Sequence, residues 1–288
     1  KKKKKIIFAD LKIHDIPNTC VAAVKAIKEG VETGVGFTPF SNALLIYMLP
    51  HSIITISVVT ALLPTLSKFA HEKQPQMIHD QLVKAMRLVG LITVPSSIAF
   101  LFFGPMMTEA LFFGISIADS NYLGYALSAL ALGLAPMSVN LIALRGLNAF
   151  ENVKLQVLSN TIMNVVGILL SVVVAVALPA KWVTVGLAGA LAFSYFFGAW
   201  SSVRLLRKFE IHISIAEVAG FYLKLAVFAL LLAVPLWFVR DLIPGGNIVR
   251  LIFVLVICGA GYLGLCKLAR VSEITSAIEV LTSRKKIG

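Results

Sequence analysis

Charge is scarce in this 288-residue chain: 14% of the residues are Asp, Glu, Lys or Arg, against 58% that are hydrophobic. A soluble domain carries about 25% charged residues, so an ordinary water-soluble fold is excluded and most of the chain is suited to lipid. Cysteine is nearly absent. Its 3 copies, Cys20, Cys258 and Cys266, are too scattered for a disulfide framework. No Cys/His grouping has metal-ligand spacing, so neither redox nor metal chemistry is expected and no cofactor is implied. A glycine-rich phosphate cradle of the Walker kind is also missing, which argues against ATP hydrolysis by this chain. The acidic residues of the apolar part sit in connections or within about a turn or two of span ends. A mid-membrane carboxylate that could carry a proton or sodium ion is therefore lacking, which disfavours a cation-coupled antiporter mechanism.

What the chain does have is long apolar runs. A bilayer core of about 30 Å takes roughly 20 apolar residues in a helix, and seven stretches qualify: 40–66, 85–103, 122–149, 157–178, 182–205, 218–239 and 248–268. They lack period-two alternation and are too long for tilted strands, so a β-barrel is excluded. Helices are the remaining way to satisfy a backbone in lipid. The excess of basic over acidic residues, 26 against 14, then reads as an orientation signal rather than as a nucleic-acid footprint. Lys68, Lys73 and Lys84 follow the first span, Arg145 and Lys154 the third, Arg204, Arg207 and Lys208 the fifth, and Lys267, Arg270, Arg284, Lys285 and Lys286 the seventh. The alternate connections hold only Lys181, Arg240 and Arg250, and the one with Glu109 and Asp119 holds no base. The first set is expected to be cytoplasmic, with a cytoplasmic C-terminus.

The start of the chain breaks this pattern. Lys1 to Lys5, Lys12, Lys25 and Lys28 would lie on the outer side of a seven-span protein with that orientation, so a preceding span or a foreign segment is expected. Residues 3–30 read as a short strand, a loop with Pro17 and an amphipathic helix capped by Asn18 or Thr19. The loop Asp10-Leu11-Lys12-Ile13-His14-Asp15-Ile16-Pro17-Asn18-Thr19 resembles the signature of orotidine 5′-phosphate decarboxylases. That resemblance would make Lys12 the proton donor and Asp10 and Asp15 its charged partners. One strand–helix unit cannot close a barrel of eight, so these residues are expected to be inactive and residues 1–36 to form a non-functional βα segment.

From Phe37 to the end, the sequence resembles the C-terminal half of the MurJ/MviN family, the lipid II flippases of the MOP exporter superfamily. The resemblance rests on Tyr47-Met48-Leu49-Pro50-His51-Ser52-Ile53-Ile54 with Val58-Val59-Thr60-Ala61-Leu62-Leu63-Pro64-Thr65-Leu66-Ser67, on Ala85-Met86-Arg87-Leu88 leading into Val94-Pro95-Ser96-Ser97, and on Arg145-Gly146-Leu147-Asn148-Ala149-Phe150-Glu151-Asn152. In the last block Leu147 and Asn148 replace the family's aromatic pair. The resemblance implies an all-α integral membrane fold in which residues 37–288 form the eighth to fourteenth helices of a fourteen-helix protein. It further implies lipid II as substrate, membrane lipids as surroundings, and transport rather than enzymatic catalysis.

A diphosphate moving through a low-dielectric region calls for a cation that never deprotonates and grips two oxygens at once, which is arginine. Arg87, matching the family's cavity arginine, is the first candidate for substrate binding and Arg145 the second, both against the alternative of snorkelling to headgroups. Pro50, Pro95 and Pro136 interrupt apolar spans and are candidate hinges. His51 is expected at an interface, Lys224 at lipid phosphate, and Asn140, Asn160 and Asn164 as hydrogen-bonding packing contacts. The expected function is outward flipping of lipid II as part of a larger flippase, inactive alone. A flippase for another polyprenyl-linked oligosaccharide remains open, and so does a membrane-tethered decarboxylase fragment.

Overall fold

A computed structural model of the chain describes residues 37–112, 116–271 and 273; the decarboxylase-like Asp10, Lys12 and Asp15 lie outside them. Among the described residues every regular element is helical: α1 (Phe37–Pro50), a π turn (His51–Thr55), α2 (Ile56–His71), α3 (Pro75–Leu111), α4 (Ile117–Ala131), α5 (Leu134–Ala149), α6 (Val153–Ala177), α7 (Ala180–Leu206), α8 (Ile215–Val239) and α9 (Asn247–Leu268). Among the described residues six helical rods are long and apolar enough to cross a membrane, α1 and α2 counting as one, and the pair α4 and α5, bent by 45° at its break, makes the number seven when it is taken as one span. Each of the seven apolar stretches read from the sequence falls in helix. α3 runs well beyond residues 85–103: its 37 residues extend about 55 Å at 1.5 Å per residue, so both ends project past the hydrocarbon.

Local chemistry sets the helix ends. Ser116, Asn152 and Ser214 are N-caps whose side-chain oxygens accept from the backbone N–H of Asp119, Leu155 and Glu217. At the far ends of α2, α5, α7 and α9, which alternation puts on one side of the membrane, the chain turns through left-handed residues. These are Lys73, Glu151, Glu210 and Arg270, with φ of 53°, 54°, 61° and 49°. At three of the four, the following N–H reaches back to close a Schellman turn: Gln74 to Phe69 at 2.9 Å, Ile211 to Leu206 at 3.4 Å and Val271 to Cys266 at 3.0 Å. Ile211 and Val271, just past their turns, are buried and pin the chain back onto the bundle.

Packing follows two tiers along the bundle. One tier gathers Phe40, Tyr47, Phe103, Leu127, Leu130 and Leu134; the other gathers Leu66, Ile78, Leu82, Met86, Ile142 and Leu147. A third cluster, with Leu91, Val94, Leu225, Tyr262 and Val271, is the seam that binds α8 and α9 to α3. α3 touches α1, α2, α4, α5, α8 and α9, whereas α6 packs chiefly on α7. The outward apolar side chains of α6, among them Val165, Leu169, Val172 and Val176, suit a lipid-facing surface. At the crossing of α3 and α4 the backbones nearly touch: a Cβ on Gly124 would overlap the Pro105 backbone.

The three prolines singled out as hinges behave differently from one another. Pro50 ends α1 and opens the π turn, where Ile56 donates to the carbonyl of His51, so the rod absorbs an extra residue. Pro136 falls in the first turn of α5, where a backbone N–H has no helical partner to lose, and the bend of that span lies instead at Leu132 and Gly133. Pro95 sits within unbroken helix. It cannot donate to the carbonyl of Leu91, four residues back, and that carbonyl accepts instead from the Tyr262 hydroxyl of α9 at 3.0 Å. Pro105 presents the same problem one stage on, and there the Ser128 hydroxyl of α4 is shared between the carbonyl of Phe100 at 2.9 Å and that of Leu101 at 3.2 Å.

Tyr262→Phe should lower stability by about 0.5–1.5 kcal/mol, read by reversible unfolding in mixed micelles. The loss should shrink in a Pro95→Ala background, where the helix can satisfy Leu91 itself; equal losses in both would assign Tyr262 to packing alone. Gly124→Leu should abolish recovery of folded protein in detergent, because the obstructing atoms are backbone.

Candidate functional site

Arg87 lies about three turns into α3, next to Met86, whose carbonyl accepts from the Tyr222 hydroxyl of α8 at 2.8 Å. Gly90, one turn further, leaves the space that the Tyr222 ring fills; a Cβ there would run into it. The start of α8 is thus drawn against α3 at the level of Arg87.

The Ser214 cap at the start of α8 places Glu217 in its first turn, where a carboxylate is favoured by the positive end of the helix dipole. From there Glu217 takes a hydrogen bond from Arg87 Nη2 at 2.5 Å. On the other side, past the Schellman turn at Arg270, Glu273 stands 3.5 Å from Arg87 Nη1. Phe221, one turn beyond Glu217, lies with its ring centroid 5.4 Å from the guanidinium carbon. The arginine is therefore held by two other segments at once, the start of α8 and the stretch past α9. Its side chain is 31% exposed, that of Glu217 50% and that of Glu273 11%. These values place the guanidinium at a seam, neither free in water nor enclosed. Its Nε is buried without a hydrogen-bond partner.

The other anticipated residues are dispersed. Arg145, near the end of α5, is half-buried and its Nε likewise lacks a hydrogen bond. His51, expected at an interface, is instead buried in the π turn, where its Nδ1 is 3.5 Å from the Ser138 hydroxyl; Thr55 approaches the same hydroxyl at 3.3 Å. Lys224 is exposed on α8, its ammonium 5.8 Å from the Phe228 ring centroid. Asn140 and Asn160 are buried, and the amide of Asn140 meets the sulfur of Met163 at 3.6 Å. Among the described residues no group of His, Cys, Asp or Glu is arranged to hold a metal ion.

Sequence reasoning missed the partners of Arg87. The Ser214-to-Glu217 spacing is a recognisable helix-start signal, yet nothing in it points to an arginine 130 residues away. Ser214→Ala should speed amide hydrogen exchange in the first turn of α8, by an amount matching a cap worth about 1 kcal/mol, with the rest of α8 unchanged.

The comparisons with known proteins agree with one another. A family model described as lipid II flippase MurJ matches residues 20–257, reaching into the stretch expected to be a βα unit. A relative from Treponema pallidum (strain Nichols), named a probable lipid II flippase MurJ, is 24% identical over 239 residues, covering 79% of this chain and 43% of the relative. A solved structure titled lipid II flippase MurJ, inward closed conformation, superposes with a TM-score of 0.72 at 18% identity, covering 91% of this chain and 52% of that one. The chain spans about half the length of these relatives.

Proposed function

The chain belongs to the lipid II flippase MurJ family, and on that footing we propose that it supplies the second lobe and the two lipid-groove helices of a flippase. Such a transporter moves lipid II, a peptidoglycan precursor on a polyprenyl diphosphate, outward across the bacterial cytoplasmic membrane. The observation that carries this reading is the position of Arg87: a permanent cation on a membrane-crossing helix, at the seam where α8 meets the lobe. A diphosphate stripped of water needs a planar fork of donors at such a place, and Arg87 is assigned to grip it. Arg145, whose Nε also lacks a hydrogen bond, is assigned as a separate contact for the cargo. The basic ends of α2, α5, α7 and α9 support a cytoplasmic C-terminus under the positive-inside rule.

Alternating access requires two walls around the cargo, and a chain spanning about half of its relatives is assigned one of them. Expressed by itself in cells depleted of their own flippase, the 288-residue chain should fail to restore growth; restored growth would refute the one-wall assignment. The diphosphate is shared by all polyprenyl-linked sugars, so the choice among them rests on family membership, and competition by other lipid-linked oligosaccharides tests it. In lipid nanodiscs, Arg87→Ala should weaken lipid II binding by about tenfold or more. Unchanged binding would remove Arg87 from the site.

A further inference from the structure

In the state seen here Arg87 is already occupied. Nη2 donates to Glu217, Nη1 faces Glu273, and Nε is buried away from any acceptor, so both terminal nitrogens of the fork already look onto carboxylates. The carboxylates of Glu217 and Glu273 stand where the oxygens of an arriving diphosphate would have to bind. A phosphate grip by this arginine therefore requires that a carboxylate first yield.

The two carboxylates are not equally able to do so. Glu273 is 11% exposed and follows Val271, which is buried in the seam of α3, α8 and α9, so moving it would disturb packing. Glu217 is 50% exposed and sits in the first turn of α8, where Ser214 caps its backbone independently of its side chain. Its carboxylate can turn to water at little cost, since a pair this exposed is worth about 1 kcal/mol or less. Resting on the assignment of Arg87 above, we infer that Glu217 is a displaceable counter-ion, which neutralises Arg87 while the site is empty and gives up its place to a diphosphate. The exchange swaps a weak single contact for a bidentate, doubly charged one. It also removes the ion pair that ties the first turn of α8 to α3, while Tyr222 and Val218 keep the helix docked, so occupancy of the head-group site loosens the start of α8. Phe221 keeps the guanidinium over its ring while the anions change places.

The test is binding of two probes to the 288-residue chain in nanodiscs, undecaprenyl diphosphate and inorganic pyrophosphate, by the wild type, Glu217→Gln, Glu217→Ala and Arg87→Ala. Both Glu217 variants should bind the lipid probe about fivefold more tightly, the equivalent of about 1 kcal/mol. A gain for both probes would identify the diphosphate alone as the displacing group, a gain for the lipid probe only a lipid head anchored in the membrane; either supports the exchange. In the wild type, saturating lipid probe should also speed hydrogen exchange of amides 215–218, a measurement that does not depend on any variant folding. Loss of binding in Arg87→Ala, with no gain in either Glu217 variant and no change in exchange at α8, would overturn the counter-ion role and leave Arg87 as the grip. Unaltered binding in Arg87→Ala would overturn the assignment of the grip itself, and the exchange with it.

Discussion

A backbone carbonyl in hydrocarbon must find a donor, and α3 has two that its own helix cannot serve. Pro95 and Pro105 leave the carbonyls of Leu91 and Leu101 without the usual partner. Tyr262 answers the first from α9 and Ser128 the second from α4. An interruption that would be costly in lipid thereby becomes a docking point, one facing α9 and the other facing α4. The position of α3 at the centre of the bundle follows: it is the helix that most needs neighbours, and six other helices lie against it.

The same logic governs the site. α8 is drawn to α3 by the Tyr222 hydroxyl on the Met86 carbonyl, with Gly90 cleared for the ring, and Arg87 lies one residue along from that carbonyl. Once α8 is placed there, its capped first turn delivers Glu217 to the arginine, and the Schellman turn after α9 brings Glu273 in from the other side. The electrostatic cluster is thus a consequence of hydroxyl-to-carbonyl docking. In a family whose cargo is an anion, a cation masked by its own protein's carboxylates has a reason to exist: an unmasked guanidinium at a membrane seam would collect headgroup phosphates indiscriminately.

Much of the architecture was legible in the residues. The seven apolar runs match the spans, because an apolar segment in lipid has no option but to satisfy its backbone within itself, a strictly local requirement. The caps at Ser116, Asn152 and Ser214 are local too. Other features escaped notice. Proline marks a missing donor without saying where a helix breaks: Pro95 lies in unbroken helix, and the break between α4 and α5 falls at Leu132 and Gly133, ahead of Pro136. The length of α3 was underread because its first two and a half turns are amphipathic and lie outside the apolar run. The left-handed turns at Lys73, Glu151, Glu210 and Arg270 carry no glycine to announce them.

Arg87 was singled out by its chemistry together with the family resemblance, and neither revealed its company. The number of crossings, the apolar character of their outer faces and the presence of a permanent cation inside one of them are properties of composition and period, and they hold however the helices assemble. Which hydroxyl meets which orphaned carbonyl, and which carboxylate meets the arginine, depends on side chains from α3, α4, α8 and α9 arriving at common depths. Residues 130 or more positions apart share a few ångströms only after docking, because such contacts are set by the relative height and rotation of whole helices, and no window of sequence encodes those two quantities.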